Sequence, residues 1–224
     1  MPKFTYAYVH DIANKNMEFA DSIQSAYVNF VLDNGKRPSS VATFATQNDM
    51  TEKSFYEKYA SFSALENDIV FFIFEKTADI LKTDDVFTTY SFREKVLAVY
   101  FTWIQTLGTY RSFMTFLKSQ SMFGCLDQSY LSKTQSAFTS FMGSLVQEGL
   151  ETGEVADRLF VTSWYKNGFW SLNTFLLHYW LNDSSANFEK TDAAIEKSVN
   201  FKLDLIEPNA LDSGFDWVKF LLRG

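Results

Sequence analysis

Residues 39–59 carry two short apolar patterns of helical spacing, separated by a polar break. Val41 and Phe44 fall on one face of the first predicted helix, because residues three and four apart share a helix face. The second pattern places Phe55 and Tyr59 one turn apart. Two short helices joined by a tight turn are the signature of a helix-turn-helix, whose second helix can enter the major groove of DNA.

The residues at the ends of these two patterns have capping and turn-forming side chains. Ser39 or Ser40 can cap the first helix and Thr51 the second, since a side-chain oxygen accepts a hydrogen bond from an otherwise unpaired N–H group. Asn48 and Asp49 interrupt the pattern, and both residue types tolerate the left-handed backbone that a sharp turn requires. The stretch is therefore predicted to form a helix, a turn and a second helix.

The rest of the chain shows the same helical spacing of apolar positions. A first helix is predicted over about residues 18–33, before the two short helices. With only 9 Gly and 3 Pro in 224 residues, long helices are favoured over a strand-rich fold. The later helices are predicted over about residues 63–81, 91–107, 110–119, 128–150, 155–181, 188–206 and 215–222. The chain is therefore predicted to be all-α, with helix breaks near Gly108 and Gly153.

The pattern over residues 155–181 is apolar on more than one side of the predicted helix. A helix that is apolar on most sides must be buried on most sides. We expect the core of the protein to cover one face of this helix and a partner subunit to cover the other. The pattern therefore predicts contact with a partner subunit along this helix.

Composition and charge indicate a folded protein of the reducing cytoplasm. The chain is 46% hydrophobic and 21% charged, with a formal net charge of −7, which is typical of a globular protein. A single cysteine excludes an intramolecular disulfide. The longest apolar run, residues 69–74, is far shorter than the ~20 residues that a membrane span needs, and no signal-peptide pattern opens the chain. We expect a cytoplasmic protein with no membrane span.

Residues that could support catalysis are few. The chain has two histidines, His10 and His178, and one cysteine, Cys125. His178 and Cys125 could form a nucleophilic pair, but a polar side chain at a helix interface and a buried thiol are the commoner roles of such residues. No histidine-rich metal site, catalytic triad or glycine-rich phosphate loop has a recognisable local signature. The sequence therefore predicts no enzyme activity, no metal and no cofactor.

Aromatic side chains make up 18% of the sequence, dominated by 24 Phe and 11 Tyr. Most of them are expected to fill a helical core. Apolar cavities lined by aromatic side chains with a few polar groups are also how helical domains bind small hydrophobic molecules. The candidate ligand-binding residues are Trp103, Tyr110, Phe113, Met114, Trp164 and Trp170, and the candidate polar anchors are Gln105, Asn167 and Asn173.

Residues 23–70 resemble the N-terminal domain of the TetR family of bacterial transcriptional regulators. Asp49, Met50 and Thr51 stand where the family usually has Gly-Val-Ser. The other matching positions keep their register without a gap: Ala26, Phe30 and Gly35 in the first helix and at its end, Ser39, Ser40, Val41, Phe44 and Ala45 in the second helix, Phe55, Tyr56 and Tyr59 in the recognition helix, and Ser61, Ala64 and Leu65 at the opening of the fourth helix.

The resemblance implies an N-terminal DNA-binding domain, residues 1–75, followed by a helical ligand-binding and dimerisation domain, residues 76–224. It implies a homodimeric repressor, in which a small hydrophobic effector moves the two DNA-binding domains out of register with successive major grooves of operator DNA. Lys53 and Lys58 are expected to act mainly at phosphates. The residues expected to contact DNA are Ser40, Thr51, Lys53, Ser54, Tyr56 and Lys58.

Two departures from the family pattern favour an alternative in which DNA binding has been lost. Phe62 stands where the family usually carries a phosphate-contacting lysine. Residues 1–75 hold six basic and ten acidic side chains, a net charge of −4, whereas phosphate neutralisation supplies much of DNA affinity. The basic edge that would remain for phosphates consists of Lys36, Arg37, Lys53 and Lys58. The alternative is a lipid- or isoprenoid-binding protein, as are some proteins of TetR-like fold in ubiquinone biosynthesis.

Overall fold

A computed structural model describes Phe19 and residues 21–121, 126–156 and 161–206, without the side chains of 161–164 and 166. These residues form nine α-helices and three short 3-10 turns, and the prediction of an all-α fold is confirmed. The α-helices are α1 (Ser22–Asn34), α2 (Val41–Gln47), α3 (Glu52–Tyr56), α4 (Phe62–Thr83), α5 (Phe92–Thr109), α6 (Arg111–Ser119), α7 (Ser132–Thr152), α8 (Val161–Asn182) and α9 (Glu189–Asp204). The 3-10 turns are Phe87–Thr89, Gln128–Tyr130 and Ala186–Phe188.

Helices α1, α2 and α3 together with the start of α4 are called the head. Side-chain caps fix the N-terminal end of each of its first three helices. Asp21 caps α1 by accepting a hydrogen bond from Ile23 N–H at 2.9 Å, so this helix begins a turn later than the sequence pattern predicts. Ser40 caps α2, and Thr51 caps α3 by accepting from Ser54 N–H at 3.0 Å. The predicted caps of the helix-turn-helix are therefore confirmed. Of the two serines that could cap α2, Ser40 is the cap and Ser39 is not.

The turn between α2 and α3 adopts the backbone that its residue types predict. Asp49 has a φ of 52°, in the left-handed region. Met50 follows it, half-buried against the core. The change in direction is sharp enough to bring Phe55 of α3 within 6.2 Å of the Phe44 ring of α2, measured between ring centroids. The helix-turn-helix is thus a packed unit.

An aromatic core holds the head together. Phe44 and Phe55 are fully buried, and the ring of Phe62 lies 5.8 and 5.5 Å from theirs. Phe62 also stacks on Tyr27 of α1 at 5.3 Å. The residue that replaces the family's usual lysine therefore joins α1, α2 and α3 to the first turn of α4.

The remaining helices form a bundle, which we call the body, and α4 belongs to both parts. This helix of 22 residues leaves the head and packs against α5 and α7. Helix α7 also packs on α8, and α9 lies against α5 and α8. Helix α1 of the head contacts α6. The head is therefore attached to the body through a continuous helix and through side-chain packing.

The two glycines that were predicted to break helices behave differently. Helix α5 continues through Gly108 and ends at Thr109, because an interior glycine costs a helix only about 1 kcal/mol; the non-helical residue is Tyr110, with φ −109° and ψ 23°. Gly153 ends α7 in the left-handed conformation, as predicted, with φ 76°. The helix predicted over residues 215–222 lies outside the described residues.

Within the described ranges, no helix combines the length and the apolar character that crossing a bilayer requires.

The head core predicts a large loss of stability for Phe44→Ala. Deleting a fully buried phenylalanine ring costs about 3–5 kcal/mol, so the midpoint of urea unfolding is expected to fall. The matched control is Leu32→Ala on α1, whose side chain is 45% exposed and whose loss is expected to change the free energy of unfolding by less than about 0.5 kcal/mol. Equal unfolding midpoints for the two variants would contradict this packing.

Candidate DNA interface and effector residues

Helix α3 presents several of the expected DNA-contacting side chains to solvent. Lys53 and Tyr56 are three residues apart and share one face of this helix; the Lys53 side chain is 87% exposed and Tyr56 is 52% exposed. Thr51 is exposed at the start of the helix. Ser54 is half-buried, and its hydroxyl donates to the Thr51 carbonyl at 2.7 Å. The face that carries Lys53 and Tyr56 is therefore open to solvent.

The other two expected DNA contacts have partners within the head. Ser40 is exposed but uses its hydroxyl oxygen to cap α2, accepting from Thr43 N–H at 3.1 Å. Lys58 Nζ lies 3.2 Å from Asp21 Oδ2. Burial alone would raise the pKa of the Asp21 carboxyl, but hydrogen bonds from Ile23 N–H, Tyr59 and Lys58 hold that pKa below its usual value. The positive charge of Lys58 is thus partly neutralised by Asp21 within the head.

Arg37 does not contribute to a DNA-facing basic edge. Its guanidinium group forms a bidentate ion pair with Glu66 of α4, with Nε at 2.8 Å from Oε1 and an Nη at 2.6 Å from Oε2. Glu66 is fully buried. Of the four basic residues of the predicted edge, Lys36, Lys53 and Lys58 are exposed, but Lys53 lies 3.8 Å from Glu57 and Lys58 is paired with Asp21. The expected basic edge is therefore corrected to a weaker one.

Glu66 also connects the head to the body. Tyr27 of α1 donates to Glu66 Oε1 at 2.5 Å, and Arg37 donates to the hydroxyl of Tyr130 at 2.9 Å. The hydrogen bond to Glu66 raises the pKa of Arg37 above its usual value, and burial, followed by the nearby Glu66 charge, raises that of Tyr27. Arg37 therefore stays charged and Tyr27 neutral at physiological pH.

The next two residues of α4 extend this contact between head and body. Asn67 Nδ2 donates to the carbonyl of Ser129 at 2.9 Å, and Asn67 Oδ1 accepts from Lys133 N–H at 3.2 Å. Asp68 accepts from Gln24 of α1 at 3.0 Å and forms an ion pair with the side chain of Lys133. Three consecutive polar residues, 66–68, thus form a junction that ties the head to the first turn of α7.

Two of the expected ligand-binding residues lie in an aromatic cluster of the body. Trp103 is fully buried and packs edge-on against Phe74 of α4 at 5.4 Å. Trp170 is 6% exposed and lies 5.7 Å from Phe138 of α7. Phe74 and Phe138 are themselves 5.6 Å apart, so Trp103 and Trp170 belong to one aromatic cluster in the middle of the body.

The other expected ligand-binding residues lie on or beside α6. Phe113 and Met114 are fully buried. Tyr110 is half-buried, 5.1 Å from Phe19, and burial raises its pKa to about 12. The side chain of Trp164 lies outside the described residues. Phe113 and Met114 share the buried core of the protein with Trp103 and Trp170, and Tyr110 packs against that core.

The expected polar anchors differ strongly in burial. Asn167 is exposed and Gln105 half-buried, whereas Asn173 is fully buried with both side-chain polar atoms unpaired. His178 is exposed and lies within 3.3 Å of Asn182; Cys125 lies outside the described residues. Within the described part of the chain, no three His, Cys, Asp or Glu side chains are grouped as metal ligands would be.

The junction was not anticipated from the sequence, although one signal was available. Glu66 lies between Leu65 and Ile69 on the buried face of α4. A carboxylate at a position of that kind requires a buried cationic or hydrogen-bonding partner. The pattern thus indicates that a partner exists, but it does not indicate which of the basic residues fills that role.

A helix-turn-helix head joined by a shared helix to a helical body is the architecture of a transcription regulator. Residues 95–221 match the family model described as tetracyclin repressor-like, C-terminal domain. The match covers more than half of the chain, which therefore belongs to the tetracyclin repressor-like (TetR) family. It is the body that matches, whereas the sequence resemblance rests on the head.

Solved structures share the fold. One is described as a TetR family transcription regulator from Shewanella sp. PV-4; it has a TM-score of 0.56 and 13% sequence identity, over 84% of this chain and 97% of that one. A protein of unknown function from Rhodococcus sp. RHA1 has a TM-score of 0.50 and 10% identity, over 87% of this chain and 100% of that one. No curated protein matches the sequence.

The junction predicts that Glu66→Ala destabilises the protein by about 3 kcal/mol, since removing one partner of a buried ion pair leaves the other charge unpaired. The measurement is the free energy of unfolding in urea. The control is Glu57→Ala, which removes the partner of Lys53 at an exposed site and is expected to cost less than about 1 kcal/mol. A Glu66→Ala protein as stable as the control variant would show that the junction contributes little.

Proposed function

We propose that this protein is a ligand-responsive transcriptional repressor that binds operator DNA as a homodimer. The observation that carries the proposal is the exposed face of α3, in a head that is joined to a TetR-family body through α4. On this proposal residues 1–75 bind DNA and residues 76–224 bind the effector and the partner subunit. The boundary lies within α4, which would transmit changes in the body to the head.

The DNA contacts follow from the exposure of the head. Lys53 binds a phosphate and Tyr56 lies at the groove, because both side chains are exposed on one face of α3. Thr51 and Ser54 lie at the start of the same helix, and Ser40 and Lys58 flank it. Few cations are available for phosphates, so tight binding requires two heads on two half-sites, about one turn of DNA or a multiple of it apart.

Exposed apolar side chains on α8, on α9 and directly after α9 support the homodimer. Phe175 of α8 is 50% exposed, Phe201 of α9 is 68% exposed and Leu205 is 48% exposed. Helices α8 and α9 pack against each other, so their outer faces can form one continuous surface. A self-complementary surface of this kind is what a two-fold symmetric dimer needs.

The junction at residues 66–68 gives the effector a route to the head. It holds α1 and α4 against the first turn of α7 through the Arg37–Glu66 ion pair and the Asn67 hydrogen bonds. A ligand that shifts the start of α7 would alter these contacts and, with them, the angle at which each head meets DNA. Repression and release then correspond to two positions of the head.

The second candidate function is a lipid- or isoprenoid-binding protein that does not bind DNA. It is favoured because two basic side chains of the head form ion pairs within the protein: Arg37 with Glu66, and Lys58 with Asp21. Phe62 supports it as well, because this residue packs in the head core. The two candidates differ in one measurable property, which is affinity for the DNA upstream of the gene.

DNA binding is tested by fluorescence anisotropy with the gene's own upstream DNA at several salt concentrations, with a scrambled duplex as reference. Selective binding that weakens with salt is expected. Lys53→Ala is expected to reduce the slope of log affinity against log salt by about one per protomer, because one phosphate contact is lost. Lys82→Ala, a change at the far end of α4, is expected to leave the slope unchanged. No selectivity at low salt would support the lipid-binding candidate.

The dimer surface predicts that Phe201→Glu yields a monomer. Placing a charge on a 68% exposed phenylalanine does not disturb the core, but it opposes burial of that surface by a partner. The measurement is molar mass by light scattering after gel filtration. Leu32→Glu, at an exposed position on α1, serves as the control and is expected to stay dimeric. A dimeric Phe201→Glu protein would exclude this part of α9 from the interface.

A further inference from the structure

In the described part of the body, buried polar groups of Trp103, Thr134 and Asn173 have no partner. Trp103 Nε1, Thr134 Oγ1 and both polar atoms of Asn173 make no hydrogen bond, and all three residues are 0% exposed. Unpaired buried polar groups are rare because each forfeits its hydrogen bonds to water. They belong to three different helices, α5, α7 and α8, so whether they meet depends on how those helices are aligned.

Helices α5 and α8 run in parallel with a fixed offset. Tyr100 of α5 donates its hydroxyl to the carbonyl of Phe169 in α8 at 2.7 Å, and Arg111, just after α5, donates to the carbonyl of Trp180 at 3.0 Å. Both pairs are separated by 69 positions in the sequence. The same offset places Trp103 beside residues 172 and 173.

Helix α7 runs antiparallel to α5. The first residues of α5 contact the last residues of α7: Phe92 N–H donates to Glu154 at 2.9 Å, and Lys95 pairs with Glu148 at 2.5 Å. Further along, the ring of Tyr100 lies 5.7 Å from that of Phe138. A step forward along α5 therefore corresponds to a step backward along α7.

The three unpaired residues occupy the same layer of the bundle. Phe138 of α7 contacts Tyr100 and also Trp170 of α8, at 5.7 Å in each case. One turn backward from Phe138 on the same face of α7 is Thr134. On α5, Trp103 lies one turn after Tyr100. On α8, Asn173 lies one turn after Trp170. The alignment of the helices therefore places Trp103, Thr134 and Asn173 at one level of α5, α7 and α8.

We propose that this layer binds the effector through a neutral group that offers an acceptor and a donor side by side, such as a carboxamide or lactam on an otherwise apolar molecule. An indole N–H only donates, whereas the Asn amide both donates and accepts and the Thr hydroxyl can do either. A ligand with only an acceptor would leave Asn173 Oδ1 unpaired. The inference rests on the proposed function in that the ligand is the effector of the regulator.

Charge argues for a neutral group. Among the described residues the buried charged side chains are Glu66, Lys95 and Asp183. Each is already bound: to Arg37, to Glu148, and to Ser185 and Thr191 respectively. The half-buried Lys202 lies against Gly168, more than one turn before Asn173. A carboxylate or ammonium ligand at this layer would therefore be desolvated without a counter-charge, which is strongly unfavourable.

A surface groove and the contact between head and body both lie near this layer. An open groove of about 720 Å³ runs along the seam of α7 and α8, and its lining includes Gln135 and Thr174, the sequence neighbours of Thr134 and Asn173. Tyr130 lies one turn before Thr134 and accepts the hydrogen bond from Arg37. A ligand held by Thr134 is thus one helical turn from the contact that ties the head to the body.

The first test compares near-isosteric variants of the free protein, without DNA. Thr134→Val and Asn173→Leu remove polar groups that have no partner, so each is expected to raise the melting temperature by about 3 °C. The matched control is Thr77→Val, because the buried Thr77 hydroxyl is bonded to the Ile73 carbonyl at 3.1 Å and its removal is not expected to be stabilising. If Thr134→Val and Asn173→Leu lower the melting temperature, these groups are structural and the proposal is overturned.

The second test uses two probes of equal chain length, hexanamide and hexanoate, with protein labelled by ¹⁵N-tryptophan. Hexanamide is expected to shift the indole N–H resonance that disappears in Trp103→Phe, and hexanoate is expected not to. Asn173→Leu is expected to weaken the hexanamide response at least tenfold. No hexanamide shift, or an equal shift with hexanoate, overturns the proposal. Because neither test contains DNA, a protein that fails to bind its operator leaves both results interpretable.

Discussion

A buried carboxylate near the start of α4 determines how the head meets the body. Glu66 is fully removed from water, and its oxygens accept hydrogen bonds from Arg37 and Tyr27. An unpaired charge at this position would be strongly destabilising, so the segment after α1 must hold Arg37 over α4. Since Arg37 also donates to Tyr130, the same ion pair sets the position of the segment that leads into α7.

The first turn of α7 is therefore shared by two environments. Lys133 contacts Asn67 and Asp68 at the junction, while Thr134 is fully buried inside the body with its hydroxyl unpaired. Adjacent residues of one helix cannot move independently, because the backbone hydrogen bonds hold them in register. On the proposal above, a ligand bound at Thr134 would therefore also affect Lys133, the next residue, and its contacts with the head.

The helix-turn-helix was predictable because its determinants are local. The caps Ser40 and Thr51 and the turn residue Asp49 each act within a few positions, and the structure confirms them. The sequence placed Arg37 on a DNA-facing edge because nothing near it revealed its partner. That partner, Glu66, lies 29 positions away, and residue spacing carries no information about such distant pairs. Thr134 gave no signal for a related reason: a threonine in a helix is unremarkable until the alignment of three helices is known.

The internal pairing of Arg37 and Lys58 has a consequence for how such a regulator would search a chromosome. Residence on non-operator DNA depends almost entirely on neutralised phosphates, and this head keeps few cations for them. Each copy would therefore dissociate quickly from random sequence and travel mainly through solution rather than by sliding. Operator occupancy would then be set by base contacts and by the number of dimers in the cell, with little of the population sequestered on the rest of the genome.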